Sequence, residues 1–218
     1  MQAKTKIFLV DDHPLVREWL ANLINEEPDF EVCGEAKSSR EALALIGTHE
    51  PRIVVVDISM EGGSGLELIK DVKAMHPKVD LIVLSMHDEM EYAERAMRAG
   101  AAGYIMKRQA TENVMVGIRT VLEGRLYFSN AVNAMLAQKL VQGTGQPATA
   151  IGSLSDRELE VFQLLGRGHS TRQVSEKMHV SFKTVHAYCA RIKEKLNLAN
   201  INELVFHAVR WHESQQPR

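Results

Sequence analysis

Two short runs constrain this 218-residue chain most: "IVVVD" at 53–57 and "LIVLS" at 81–85. A strand with one wet face alternates apolar and polar residues. A run without that alternation reads as a strand covered on both faces, the central member of a parallel sheet. Similar β-rich runs occur at Ile7–Val10, Phe30–Gly34 and Gly103–Met106. Amphipathic stretches near 14–26, 38–48, 64–75, 90–99 and 111–123 alternate with them. Five βα units with right-handed crossovers build a doubly wound sheet, here expected in the order 2-1-3-4-5.

The pattern changes beyond Gly124. Ser129 is a plausible N-cap for a helix through "AVNAMLAQKL", and "VQGTGQPATAIGS", residues 141–153, has the composition of a flexible linker. The tail from Leu154 reads as entirely helical. The expected organisation is therefore 1–125, a helix and linker over 126–153, and 154–218. Formal charge divides the same way, with −6 over residues 1–125 and +3 over 151–218. An acidic front and a basic, histidine-containing back suggest two jobs, the second against a polyanion. No apolar stretch has the length of a membrane span, and the N-terminus lacks a signal peptide's apolar region. Cys33 and Cys189 are far apart and no CxxC occurs, so a reduced, cytoplasmic protein is expected. The nine histidines show no paired-ligand spacing, and no structural metal is assigned to them.

Ligands of parallel sheets sit beyond the carboxyl ends of the strands. Those ends carry Asp11 and Asp12, then Asp57, Ser85 and Lys107. In the expected strand order all five converge. Three carboxylates in one pocket call for a hard divalent cation such as Mg2+. Lys107 and the Ser85 hydroxyl supply a cation and a donor that a phosphoryl group can use. A blander reading stays open for the acidic pair, because Asp11 or Asp12 could instead cap the helix starting near Pro14.

The tail reads as four helices. Ser155 and Glu158 form a capping box, Ser170 caps a short helix, and after the turn "HVS" Ser181 opens the longest helix, ending near Leu196. Helix, tight turn and helix make a helix-turn-helix unit. Val185, Cys189, Ile192 and Leu196 form the core stripe of the longest helix. Lys183, His186, Ala187, Ala190 and Arg191 lie opposite. A helix entering the major groove needs donors for phosphates and base edges, and small residues where backbones come close.

The acidic pair, "VVVDISM", the strand-end serine and "YIMK" together resemble the receiver domain of two-component response regulators. "LSDRELEV", "LLGRGHSTRQVSEKMHVSFKTV" and "RIKEKL" resemble the LuxR-type helix-turn-helix. Over residues 5–212 the chain is similar to the NarL/FixJ family. The resemblance implies a flavodoxin-like (βα)5 receiver followed by a small all-α helix-turn-helix domain. It makes Asp57 the phosphoacceptor, with Lys107 pairing with the phosphoryl oxygens. Mg2+ would bind Asp12, Asp57 and the backbone carbonyl of Ser59, and Asp11 through water. Ser85 would turn toward the phosphoryl group, letting Tyr104 swing inward. Ser59 and His87 would tune hydrolysis of the acyl phosphate. Lys183, Thr184, His186, Ala187, Ala190, Arg191 and Lys195 would face DNA.

The implied partners are a cognate histidine kinase, double-stranded DNA, a second copy of the chain on phosphorylation, and RNA polymerase. No enzymatic activity beyond self-phosphorylation and autodephosphorylation is expected. Four departures stand out: Glu61 replaces a usual proline, Arg108 a usual acidic residue or proline, Tyr188 a histidine and Ala190 a basic residue. A phosphohydrolase of the haloacid type would need an aspartate where Ser59 stands. A regulator sensing an apolar ligand would not collect strand-end carboxylates. A LuxR-type regulator that binds DNA independently of phosphorylation is the competing expectation.

Overall fold

The computed structural model describes residues 3–60, 63–142 and 150–214. The chain divides into two compact units, Met1–Gly143 and Thr144–Arg218. The first is built from β1 (Thr5–Val10), α1 (Pro14–Asn25), β2 (Phe30–Ala36), α2 (Ser39–His49), β3 (Ile53–Val56), β4 (Ser59–Met60) and β5 (Gly63–Ser64). It continues through α3 (Gly65–Met75), β6 (Asp80–Ser85), α4 (Glu89–Ala99), β7 (Gly103–Met106), α5 (Ala110–Leu122) and α6 (Asn130–Gln142).

The main sheet is parallel with order β2-β1-β3-β6-β7, which is the expected 2-1-3-4-5 once the two-residue pair β4 and β5 is set aside. Every residue of β3 is buried, and only Asp80 of β6 escapes full burial. The pleat divides their side chains. Ile7, Leu9, Val55, Ile82, Leu84 and Ile105 join Leu20, Ile24, Val114 and Ile118 of α1 and α5 in one cluster. Phe8, Val10, Val54, Val56 and Val83 are equally buried, as are Leu66, Ile69, Ala93 and Ala96 of α3 and α4. Helices on both faces thus explain why these strands carry no polar alternation. Ser38 caps α2 by accepting from Glu41 N at 3.3 Å, and Asp88 caps α4 by accepting from Met90 N at 2.8 Å.

The second unit holds α7 (Asp156–Gly166), α8 (Thr171–Lys177), α9 (Phe182–Leu196) and α10 (Ile201–Ser214). The capping box of Ser155 and Glu158 is present, and Ser170 with Gln173 forms another. Between α8 and α9 the chain turns through His179 at φ 51°, a left-handed position that histidine tolerates better than branched residues do. Val185, Cys189 and Ile192 of α9 are buried with Leu159 and Phe162 of α7 and Leu204 and Ala208 of α10. Each large apolar side chain buried there contributes roughly 1.5–3 kcal/mol. Leu196, expected on the same stripe, is only partly buried because it ends the helix.

Candidate phosphoacceptor site and nucleic-acid face

The carboxyl ends of β1, β3, β6 and β7 meet as expected. Asp57 and Asp11 are nearly buried, at 4% and 5% exposure. Lys107 reaches between them, its Nζ 2.6 Å from an oxygen of each carboxylate. Asp11, Asp12 and Asp57 bring ligand atoms within 4.8 Å of one another, and His13 joins the same cluster. The His13 Nδ1 lies 2.7 Å from Asp12 Oδ1 and 3.1 Å from Asp11 Oδ1. A set of oxygen donors held this closely suits a hard divalent cation. Neither aspartate is the cap of α1. His13 occupies that position and its side chain makes no capping bond, while Asp11 accepts from the His13 amide at 2.9 Å.

Two neighbours that sequence spacing did not reveal hold the acidic corner. The Arg17 guanidinium donates to the Asp11 carbonyl at 2.6 Å and to Glu35 at 3.1 Å, bracing the end of β1. Gly65 begins α3 against the end of β3, where an added Cβ would lie 2.0 Å from the Asp57 carbonyl oxygen. A side chain there would push β3 and Asp57 out of place. Burial pushes the Asp57 carboxyl up to about 6, against the pull of Lys107, and the Asp11 charge adds to the rise. Burial also disfavours the Lys107 ammonium, but Asp57 and Asp11 outweigh it and hold the lysine above its ordinary value.

Ser59 and His87 lie beside Asp57. Ser59 N donates to Asp57 Oδ1 at 3.3 Å, and Ser59 Oγ stands 2.5 Å from His87 Nε2. The His87 ring stacks on Tyr92 at 4.6 Å, and its amide donates to Ser85 Oγ at 3.3 Å. Tyr104, expected to swing inward, already lies inside at 2% exposure, its hydroxyl donating to the His87 carbonyl at 3.0 Å. Burial raises its phenol well above the ordinary range, so the hydroxyl stays a donor. Arg108 is exposed in the turn after β7, and Glu61 lies outside the described residues.

On α9, Lys183, His186, Ala187, Ala190 and Arg191 are exposed along one face, with Thr184 half-buried and bonded to Ser181 Oγ at 2.7 Å. Phe182 adds an exposed ring edge-on to His186 at 4.4 Å. Arg191 lies over the Tyr188 ring at 5.0 Å. The Arg191 Nε also lies 3.7 Å from Glu158 Oε1, and Lys195 is held more tightly by the same carboxylate. Its ammonium donates to Glu158 at 2.6 Å and to the Ser153 carbonyl at 3.1 Å, an internal bond between α9 and α7. Although sequence position put Lys195 on the DNA side, the buried Glu158 draws it back. The capping glutamate that sequence did reveal is thus also the partner of a lysine it could not pair.

Fold and site define a receiver domain with an acidic pocket at the carboxyl ends of its strands, in a chain that also carries a helix-turn-helix unit. The chain belongs to the response regulators: residues 7–119 match the response regulator receiver domain, and 152–208 match the bacterial regulatory proteins of the luxR family. It is 35% identical to the oxygen regulatory protein NreC of Staphylococcus carnosus over 94% of this chain and 97% of that one. A solved LuxR-family two-component response regulator from Aurantimonas is 32% identical, covering 64% of this chain and 99% of that one, with TM-score 0.59. RcsB of Salmonella enterica, solved on promoter rprA with the phosphomimetic BeF3-, is 22% identical with TM-score 0.64. That alignment covers 94% of this chain and 98% of RcsB, and at this identity it speaks for the fold. No described helix is long and apolar enough to cross a membrane.

Proposed function

We propose that this chain is a cytoplasmic transcription regulator whose DNA binding is controlled by phosphorylation of Asp57. The observation that carries the reading is the bridge from Lys107 to Asp57 and Asp11 within the acidic cluster. A carboxylate with a pKa near 6 is largely anionic at neutral pH, as a nucleophile must be. Its oxygen attacks phosphorus of a phosphohistidine on a cognate kinase. The P–N bond breaks as the P–O bond forms, the imidazole leaves with its electron pair and takes a proton from solvent, and Asp57 becomes an acyl phosphate. Lys107 then pairs with the phosphoryl oxygens.

The donor set fits Mg2+ held by Asp12, Asp57 and the Ser59 carbonyl, with Asp11 acting through water. When bound, the ion supplies positive charge at the transferring phosphoryl. Ser59 and His87 limit the approach of water to the acyl phosphate. The output is a homodimer whose α9 helices read half-sites about one helical turn apart, Lys183 on phosphate and His186, Ala187 and Ala190 over base edges. Contact with RNA polymerase would follow on the promoter. The chain's chemistry is confined to its own phosphorylation and dephosphorylation.

Acetyl phosphate with Mg2+ should add one hydroxylamine-labile phosphoryl group to the full chain. Labelling of Asp57→Asn to the same extent would remove Asp57 from this role. Selection of bound sequences from random duplexes, with and without donor, should then return a phosphorylation-dependent site. A second reading, DNA binding independent of phosphorylation, is favoured by the inward position of Tyr104. It predicts equal affinity in both arms.

A further inference from the structure

The segment between α5 and α6 is not a passive connection. Tyr127 adds a parallel bridge to Gly103 on the free edge of β7, with Tyr127 N donating to Ala102 O and Tyr104 N donating to Tyr127 O, both at 2.9 Å. Two glycines make room for it. A Cβ on Gly103 would lie 3.2 Å from the Tyr127 Cβ, and one on Gly117 would lie 3.1 Å from the Tyr127 ring. Beyond this rung Phe128 and Val132 are buried, and α6 packs on α4.

Glu89 fastens the arrangement. It is the first residue of α4, only 6% exposed, and its Oε1 accepts from the Ser129 amide at 2.8 Å. Ser129 Oγ in turn accepts from Val132 N at 3.3 Å. A buried carboxylate therefore sits at the positive end of α6, where it satisfies an amide that the helix cannot. Glu89 also lies two residues beyond His87, whose carbonyl holds the Tyr104 hydroxyl. Tyr104 is thus tied at one end to the loop beside the phosphoacceptor and at the other, through its amide, to Tyr127.

We propose that Glu89 is a latch that joins the phosphoacceptor loop to α6, so that phosphorylation of Asp57 releases residues 125–132 from β7 and α4. The proposal rests on Asp57 being the acceptor. Ser85, His87 and Glu89 share one short turn, so drawing Ser85 toward a phosphoryl group displaces the Glu89 carboxylate from the Ser129 amide. A charge-assisted bond to a buried amide is worth enough that its loss speeds local opening about tenfold or more. Release loosens α6, which leads into the linker before the helix-turn-helix unit. The latch is therefore the point at which chemistry at Asp57 becomes a change in the connector.

The test is hydrogen exchange on the full chain, with and without acetyl phosphate and Mg2+, and with intact mass counting the phosphoryl group. In the wild type, peptides covering 125–135 should exchange about tenfold faster once the mass shows modification. Glu89→Ala should exchange fast there in both states, with β1 and β3 unchanged. Glu89→Gln keeps an acceptor oxygen and should retain most of the protection. Unchanged protection of 125–135 after verified modification would overturn the coupling, and unchanged protection in Glu89→Ala would overturn the latch. If no phosphoryl group adds, the acceptor reading fails instead, and the Glu89→Ala arm still decides whether the latch exists.

Discussion

The Lys107 ammonium lies 2.6 Å from Asp57 Oδ2, and its other partner is Asp11 at the same distance. The lysine and a bound cation would therefore share Asp57, and the cation would reach the lysine's other partner, Asp11, through water. Breaking a buried pair by removing one partner costs about 3–5 kcal/mol, because a charge is left uncompensated. Lys107→Ala should lose stability of that order without divalent cation, read from exchange of the β3 and β6 amides. Millimolar Mg2+ should restore more in the variant than in the wild type. An identical Mg2+ response in both proteins would show that lysine and cation do not share Asp57.

Asp57 gives a pH signature of defined sign. Burial raises its folded pKa from the ordinary 3.8 to about 6, so the proton favours the folded chain. Below 3.8 both states are protonated and there is no difference. As pH rises toward about 6 the unfolded chain releases its proton first, and stability falls by up to about 3 kcal/mol. Asp57→Asn removes that loss. Without divalent cation, the variant should match the wild type near pH 4 and exceed it above about pH 6. Parallel pH profiles would mean that Asp57 ionises as a surface carboxylate does.

The parts of this protein legible in its sequence are those written in local pattern. The unalternating runs of β3 and β6, the polar residue ending each strand, and the caps at Ser129, Ser155, Ser170 and Ser181 depend on neighbours a few residues away. What stayed hidden depends on distant partners. Glu158 drawing Lys195 away from the DNA side is a contact between residues 37 apart, which helical periodicity cannot encode. The rung of Tyr127 on β7 is a single residue, too short for strand alternation. Its signal lay in Gly103 and Gly117, which look like ordinary strand and helix glycines until the tyrosine between them is seen. His13 could have been found, because it stands directly beside the acidic pair.

Glu158 predicts the opposite pH trend in the second unit. Burial works against its carboxylate, but the Lys195 ammonium and the bonds from Ser155 hold its pKa below the ordinary 4.5. Its contribution is present above that value and is lost as pH falls below it. Glu158→Gln should therefore cost about 2 kcal/mol at neutral pH, and the gap to the wild type should close on acidification below about pH 4.5. Exchange of the α7 and α9 amides reports this without interference from the receiver. A gap that persists unchanged in acid would assign the role of Glu158 to packing.

Lys183 and Lys195 stand on the same helix but call for opposite outcomes, one lysine being exposed and the other bonded to Glu158. Lys183 is exposed near the N-terminus of α9, whereas Lys195 is bound to a carboxylate with 3% exposure. Each phosphate contact releases counterions and adds close to one to the slope of log affinity against log salt. Lys183→Ala should lower that slope by about one on a selected duplex and leave α7 and α9 protection intact. Lys195→Ala should leave the slope unchanged and reduce protection, because it removes the nearer of the two cations on buried Glu158, at 2.6 Å against 3.7 Å for Arg191. A fall in slope for Lys195→Ala would mean that its ammonium leaves Glu158 for a phosphate on binding. Glu158→Gln would then strengthen DNA binding by releasing the lysine, and the anisotropy titration that measures the slope would detect it.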